Sequence, residues 1–455
     1  MITLPVRVSN CLRPVVGIAL TALIGVGCGA LDTQNPNIVD AGNLDSPAGA
    51  ATKRLGAISQ FTLAKDGDYN FVNIPGTTPP ISNDNSDGHV LLSGVLSDEL
   101  VNPGFIPTRT EIDLRQGQPN NVTISDFFRS LHRARAAAED AATSLQTFSP
   151  DPAADTGIPE MLALAGFTYL FFAEDFCSGV PVSRTVGGVI QYGDQLTTAQ
   201  LIDTAIVRFQ AALAHPSIVP GDPIHSLASV GLGRALVDSG DFVGAGLAVQ
   251  AVPADFVYSS EHATSPSALQ NSVSLAWSGG NFGVDDREGG TGLDFVSAQD
   301  LRVTGDSGTG TDGQTPTWIP SKYPTLEASI PTADYLEAQL ILAESDLQAA
   351  NFPGTLGILN ALRAGAGLAD TTDPGTPAGR VDLLFRERAF WLFATGHRLG
   401  DLRRLVRQYG RPADSVFPSG LYFKGGLTYG PGVNLPLPAT ETNNPKVSGC
   451  LDRNA

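Results

Sequence analysis

Seven arginines crowd positions 386–411 of a chain whose formal net charge is −18, interleaved with Glu387, His397 and Asp401. Guanidinium groups at that density either hold an anionic ligand or pair with carboxylates and fix the protein's own shape. Acidic residues outnumber basic ones 46 to 28, so internal partners are plentiful and pairing is the expectation. His397 reads the same way, as a hydrogen-bonded residue and not a ligand. Gly305-Asp306-Ser307-Gly308 has the look of a serine nucleophile. A serine needs a base held by a third group, and none of the six histidines stands in such a context. Asn83 to Gly88 starts like a calcium loop but puts Gly94 where the bidentate glutamate belongs. No His/Cys spacing suits zinc, and Gly289 to Gly292 lacks the lysine of a phosphate loop. The residues therefore point to no catalysis, no metal and no cofactor. Binding is left. Trp277, Trp318 and Tyr323 lie in the Gly- and Ser-rich stretch 254–330, and aromatic faces stack on the apolar C–H faces of sugars. They are the candidate ligand residues; the alternative is that they form the stretch's own small core.

Those side chains need a scaffold. Leu384, Ala389, Trp391, Leu392 and Phe393 make one heavily apolar helical face. Gly396 breaks the pattern as a residue of positive φ past a helix end would, and Leu402, Leu405 and Val406 resume it behind Asp401, a possible N-cap. The expectation is a helix, a tight glycine corner and a second helix. Similar periodicity predicts helices over 46–61 (Ser46 as cap, Pro47 at the first position), 125–145, 159–176, 198–213, 226–239, 241–250 and 331–350. The turn Gly240-Asp241-Phe242 before an Ala-rich helix looks locally like a tetratricopeptide unit. Residues 66–123 and 254–330 read as irregular. The fold class is mainly α, a helical-repeat (tetratricopeptide-like) superhelix with long irregular loops.

Composition narrows the setting. An acidic chain with 16% charged residues, 50 glycines and 32 prolines has no basic surface for nucleic acid and suits an exported protein. Arg7 and Arg13 precede an apolar run over 15–26 that is short for a membrane span and right for a signal segment. The run ends at Gly25-Val26-Gly27-Cys28, similar to a lipobox, so residues 1–27 are read as a signal peptide and Cys28 as the lipidated residue. Cys11 leaves with the signal. Cys177 and Cys450 are then the unassigned cysteines of an exported chain, either a disulfide or two separate thiols.

Several stretches together resemble the SusD/RagB family. They are Arg386-Glu387-Arg388, Gly396-His397-Arg398, Asp401-Leu402-Arg403-Arg404, the run Asn360, Arg363, Ala366, Gly367, Leu368, and the tail Leu435-Pro436-Leu437-Pro438. Thr395 stands where that family usually has an acid, and Asp334 where it has an arginine. The resemblance implies one SusD-like helical domain over 28–455 with 254–330 as a long loop insertion. It marks Arg388, Gly396, His397, Arg398, Asp401 and Arg403 as a structural corner. It further implies a lipid-anchored protein on the outer face of the outer membrane. Such a protein binds an oligosaccharide or peptide and passes it to a SusC-like TonB-dependent transporter. A helical-repeat scaffold that assembles envelope proteins without binding a small ligand is the alternative.

Overall fold

The structure, a computed structural model, describes residues 44–68 and 86–455. Cys28, the signal segment, the residues immediately after it and the first half of the calcium-like run, 83–85, lie outside the described residues. Thirteen α-helices are described, and several of them begin where a short polar side chain takes up an orphan N–H. In α1 (Pro47–Asp66) Ser46 accepts from Gly49 N at 3.0 Å. In α4 (Val122–Phe148) Asn121 accepts from Ile124 N at 3.2 Å. Helix α5 (Gly157–Asp175) follows, and α6 (Thr198–Leu213) starts in a capping box of Thr197 and Gln200. Helix α7 (Pro223–Ser239) ends at Gly240 with φ 89°, and Asp241 caps α8 (Phe242–Val249).

Helices stack in a series of packed pairs: α1 on α4, α4 on α5, α5 on α6, α6 on α7 and α7 on α8. Helix α10 (Tyr335–Gln348) packs on α8 and on α11 (Phe352–Gly365), and touches α12 (Pro377–Trp391). One contiguous apolar cluster runs from Ala50 to Leu437 and a smaller one lies between α10, α11 and α12. This is the helical-repeat class that periodicity predicts.

Three sequence readings need correction. Residues 66–123 contain two further helices, α2 (Gly88–Leu96) and α3 (Pro107–Asp113). Every residue of α2 is buried, so no polar face marked its period. Between α5 and α6 lie two short antiparallel pairs, β1 (Val180–Pro181) with β4 (Gln195–Leu196) and β2 (Arg184–Val186) with β3 (Val189–Gln191). The stretch 254–330 is built, not structureless. It holds β5 (Val257–Ser260), α9 (Ser272–Ser278) and an antiparallel hairpin of β6 (Gly305–Thr309) and β7 (Pro316–Pro320). Finally, the helix expected from 331 starts at 335. Residues Ile330–Asp334 form β8, antiparallel to β5, and Asp334 accepts from Glu337 N at 2.8 Å as the cap of α10.

Candidate functional site

The glycine corner is the most heavily charged buried part of the molecule. Helix α12 ends at Trp391, Gly396 takes φ 82°, and α13 (Arg398–Arg407) follows. A Cβ on Gly396 would lie 2.4 Å from the His89 ring, so both the backbone angle and the close approach require glycine. Asp401 is not the N-cap. It sits inside α13, buried, and takes Arg388 Nε at 2.8 Å and Arg404 Nη2 at 2.8 Å. Burial alone would raise its carboxyl; the two guanidinium groups hold it well below the usual carboxylate range instead.

Each remaining arginine of the cluster also has a protein acceptor. Arg398 clasps Asp98 through two bonds of 2.6 and 2.8 Å, Arg404 reaches Glu344, Arg386 reaches Asp294 and Arg411 reaches Asp382. Arg403 donates to the carbonyls of Ala173 and Glu174 at 2.6 Å each, and Arg407 to Asp238 O at 3.2 Å. Helix α13 thus lays cations across the carbonyl ends of α5 and α7, where helix dipoles favour them. His397 Nδ1–H donates to Thr395 Oγ1 at 2.8 Å and its Nε2 accepts from Arg234 at 2.8 Å. Burial, with Arg234 beside it, pushes the imidazole well below its ordinary value, so it is neutral. This is internal pairing, not an anion site.

Of the three candidate aromatics, two are buried and one is half-buried. Trp277 on α9 is 3% exposed and Tyr323 is 7% exposed, both inside the main core. Tyr323 O–H donates to Ala394 O at 3.2 Å, and neighbouring Lys322 donates to Phe393 O, so this segment clamps the corner from outside. Trp318 is half-buried on β7, bridged to Val284. The physical reason is that part of the 254–330 stretch folds back onto the end of α12, where Phe295 packs on Phe390 and Phe393 and Tyr323 bonds Ala394 O, so large rings of this stretch serve as its core. The core reading of the trio prevails for Trp277 and Tyr323.

The exposed aromatic surface lies elsewhere. Among the described residues Phe105 and Tyr192 are the exposed aromatic rings, at 71% and 43%. Phe105 projects from a tightly bonded segment between α2 and α3. Asn102 N donates to Asp113 Oδ2 at 2.7 Å, Gly104 N donates to Asn102 Oδ1 at 3.2 Å, and Lys424 Nζ donates to Asn102 O and Gly104 O at 2.7 and 2.5 Å. A Cβ on Gly104 would lie 2.6 Å from Thr311 Oγ1, which sets the tip of the β6–β7 hairpin against the same segment. Asp312 on that tip accepts from Thr315 Oγ1 and from Thr315 N and Gln314 N; those bonds lower its carboxyl to about 2. An open ring on a fixed backbone, with an ammonium, a carboxylate and a threonine beside it, can stack one sugar face and bond its hydroxyls. Sequence reasoning missed Phe105 because exposure is a tertiary property and nothing around it forms a motif.

Beneath this rim, burial raises two carboxyls, Asp113 to about 7 and Glu288 well above its ordinary value. Burial also raises Glu99 to about 8 and Glu337 to about 7. A carboxyl raised in the folded state binds its proton more tightly there than in the unfolded chain. Its contribution is present below the unfolded value and lost as pH rises through the folded one. Above about pH 7, where the neutral burial of His397 no longer adds stability, stability is therefore expected to fall by about 1 kcal/mol or more up to about pH 8. Thermal melts across that range check it; a constant or rising Tm would contradict these protonation states.

The structure also joins Cys177 to Cys450 in a disulfide, with Cα atoms 5.8 Å apart. The tail beyond it closes one side of a cleft of about 600 Å³ between the start of α6 and the end of α7, lined by Thr198, Asp203, Asp238, Arg407 and Asp452.

No family sequence model matches the chain, and no curated protein sequence matches it. Solved structures do match, nearly end to end. A SusD superfamily protein from Bacteroides thetaiotaomicron aligns with a TM-score of 0.65 at 13% identity, over 89% of this chain and 99% of that one. A second, from Parabacteroides distasonis, aligns with a TM-score of 0.64 at 12% identity, over 88% and 98%. A laminarin-binding SusD-like protein aligns with a TM-score of 0.57 at 14% identity, over 89% and 99%.

Proposed function

We propose that this chain, which has the fold of the SusD superfamily, is a glycan-binding lipoprotein of the outer membrane that passes its ligand to a TonB-dependent transporter of the SusC type. One observation carries the reading. The fold likeness spans about nine-tenths of the chain and includes a protein described as laminarin-binding. The corner, whose residues led to the same family from sequence, is the scaffold's keystone and takes no part in binding. The ligand belongs on the rim built from Phe105, Lys424, Asp312 and Thr311, with Trp277, Trp318 and Tyr323 holding the loops behind it. In this reading Cys28 carries the lipid anchor and the protein faces outward from the membrane surface.

Calorimetry with laminarin-derived oligosaccharides tests the site. Phe105→Ala is expected to weaken binding by about 1–3 kcal/mol, the range for a central aromatic anchor. Circular dichroism should be unchanged, because the ring is already solvent-facing. Full affinity in the variant moves the site elsewhere. A chain that binds no glycan, yet captures envelope proteins, would favour the scaffold alternative. For the anchor, Cys28→Ser should shift the protein out of the outer-membrane fraction; identical fractionation of variant and parent would rule out lipidation there.

A further inference from the structure

The Phe105 rim rests on a buried pair of acids. Asp113 closes α3 and Glu288 sits in a turn of the 254–330 stretch; each is 1% exposed. Their carboxyls hydrogen-bond each other. Ionised carboxylates only accept, so this contact exists only while one of the two carries a proton. No donor among the described residues reaches Asp113 Oδ1 or Glu288 Oε2, which leaves those oxygens to share it. The other two oxygens hold the rim. Asp113 Oδ2 accepts from Asn102 N and from Tyr422 O–H, both at 2.7 Å, and Glu288 Oε1 accepts from Tyr429 O–H at 2.7 Å.

Those bonds reach both walls of the site. Asn102 opens the segment that presents Phe105, and its side chain also donates to Thr110 Oγ1 on α3 at 2.9 Å. Tyr422 and Tyr429 bracket Lys424 in the facing loop with their rings 5.4 Å apart, and Lys424 reaches back to the carbonyls of Asn102 and Gly104. One acid pair therefore fixes the backbone under the aromatic ring and the loop that carries the ammonium. The charged and titratable groups around it are Tyr422, Tyr429 and Lys424 from that loop, Asp98 beyond α2, Asp285 ahead of the Glu288 turn, and Arg115 after α3. Arg115 is committed to Gly432 O at 2.9 Å and Asp98 to Arg398, while burial pushes both tyrosines up. Burial also raises Asp285 and lowers Lys424, so their titration has to be told apart from that of the pair.

We propose that Asp113 and Glu288 are the positioning residues of the glycan site: they share a proton that keeps Phe105 and Lys424 in place, and its loss loosens both walls and releases the sugar. The inference rests on the Phe105 reading above and adds control by pH to it. A laminarin oligosaccharide is the probe, because a neutral sugar brings no titration of its own. Calorimetry on the full chain is expected to show its affinity falling about tenfold between about pH 6 and about pH 9, a coupling of about one pK unit. Asp113→Asn places an amide where the proton was. Its Nδ2–H donates to Glu288 while its Oδ1 still accepts from Asn102 and Tyr422. This variant should bind as the parent does at pH 6 and keep that affinity at pH 9, and Glu288→Gln should behave likewise. Lys424 and Asp285 titrate in parent and variants alike, so the difference between them reports the pair. A parent with no fall in affinity overturns the proposal, as do amide variants that fall as steeply as the parent or that fold but bind poorly at every pH. Amide exchange at Asn102 and Gly104 in the free chain gives a readout that needs no sugar: protection should drop toward pH 9 in the parent and hold in Asp113→Asn. If laminarin does not bind, or binds without Phe105, the reading of the rim fails. The exchange then decides whether the pair positions this segment, and equal protection in parent and variant overturns that too.

Discussion

Replacing Asp401 with Ala is expected to destabilise the fold by about 3–5 kcal/mol, the usual cost of stranding buried charge. Asp401 is 3% exposed and is the shared acceptor of Arg388 and Arg404, themselves 2% and 1% exposed. Without it Arg388 loses both of its bonds, while Arg404 keeps only Glu344 and a 3.4 Å approach to Asp238. Neither guanidinium can turn out to water, since α10, α12 and α13 close over them. The loss therefore reaches beyond one ion pair and loosens the corner against α10. Chemical denaturation measures it, with Lys446→Ala as the control. Lys446 pairs with Asp194 at 2.9 Å in the open, with side chains 46% and 82% exposed, and should scarcely move the midpoint. A further arm separates charge from packing: Arg388→Met with Asp401→Leu should recover part of the loss, because an apolar pair removes the stranded cation. Equal midpoints for Asp401→Ala and Lys446→Ala would show that the network contributes no more than a surface pair.

Parts of this arrangement were legible in the sequence and parts were not, for physical reasons. Helices α1, α4, α6 and α7 announce themselves through local signals: a capping Ser46, the Gly240 stop and apolar residues at helical spacing. The corner was legible because seven arginines in 26 positions of an acidic chain demand partners. Their partners were not, because Asp98 meets Arg398 across 300 residues and Glu344 meets Arg404 across 60. The 254–330 stretch hid its structure for the same reason. Its strand β5 is completed by β8, and its loops are pinned by single bridges from Val101 to Gly283 and from Val284 to Trp318. Aromatic type alone then misled. A tryptophan in a polar loop reads as a ligand platform until the packing shows what it covers, and Phe105 has no local feature that marks it as exposed.

The largest single contribution from one bond is expected of the Cys177–Cys450 disulfide. It joins residues 273 apart, and the chain-entropy model assigns a loop of that length about 5 kcal/mol, less whatever strain or residual denatured-state structure removes. Cys177 itself is fully buried at the exit of α5, with its N–H on Leu435 O at 2.9 Å. The tail has other holds that survive loss of the bond. Ser178 N donates to Asp452 O at 3.0 Å, Leu451 N returns to Ser178 O at 2.8 Å, and Gln195 Nε2 reaches Gly449 O at 2.7 Å. Cys177→Ala with Cys450→Ala should therefore fold, keep its helix content and bind glycan at the Phe105 rim. Its denaturation midpoint should drop strongly under non-reducing conditions, and dithiothreitol should lower the parent toward the variant. Amide exchange should quicken first at Leu451 and Asp452, the wall of the 600 Å³ cleft, because there the remaining hydrogen bonds act alone. Peptide mapping without reductant checks the bond directly. Free thiols at both positions, or a variant as stable as the parent, would show that the fold stands without this bridge.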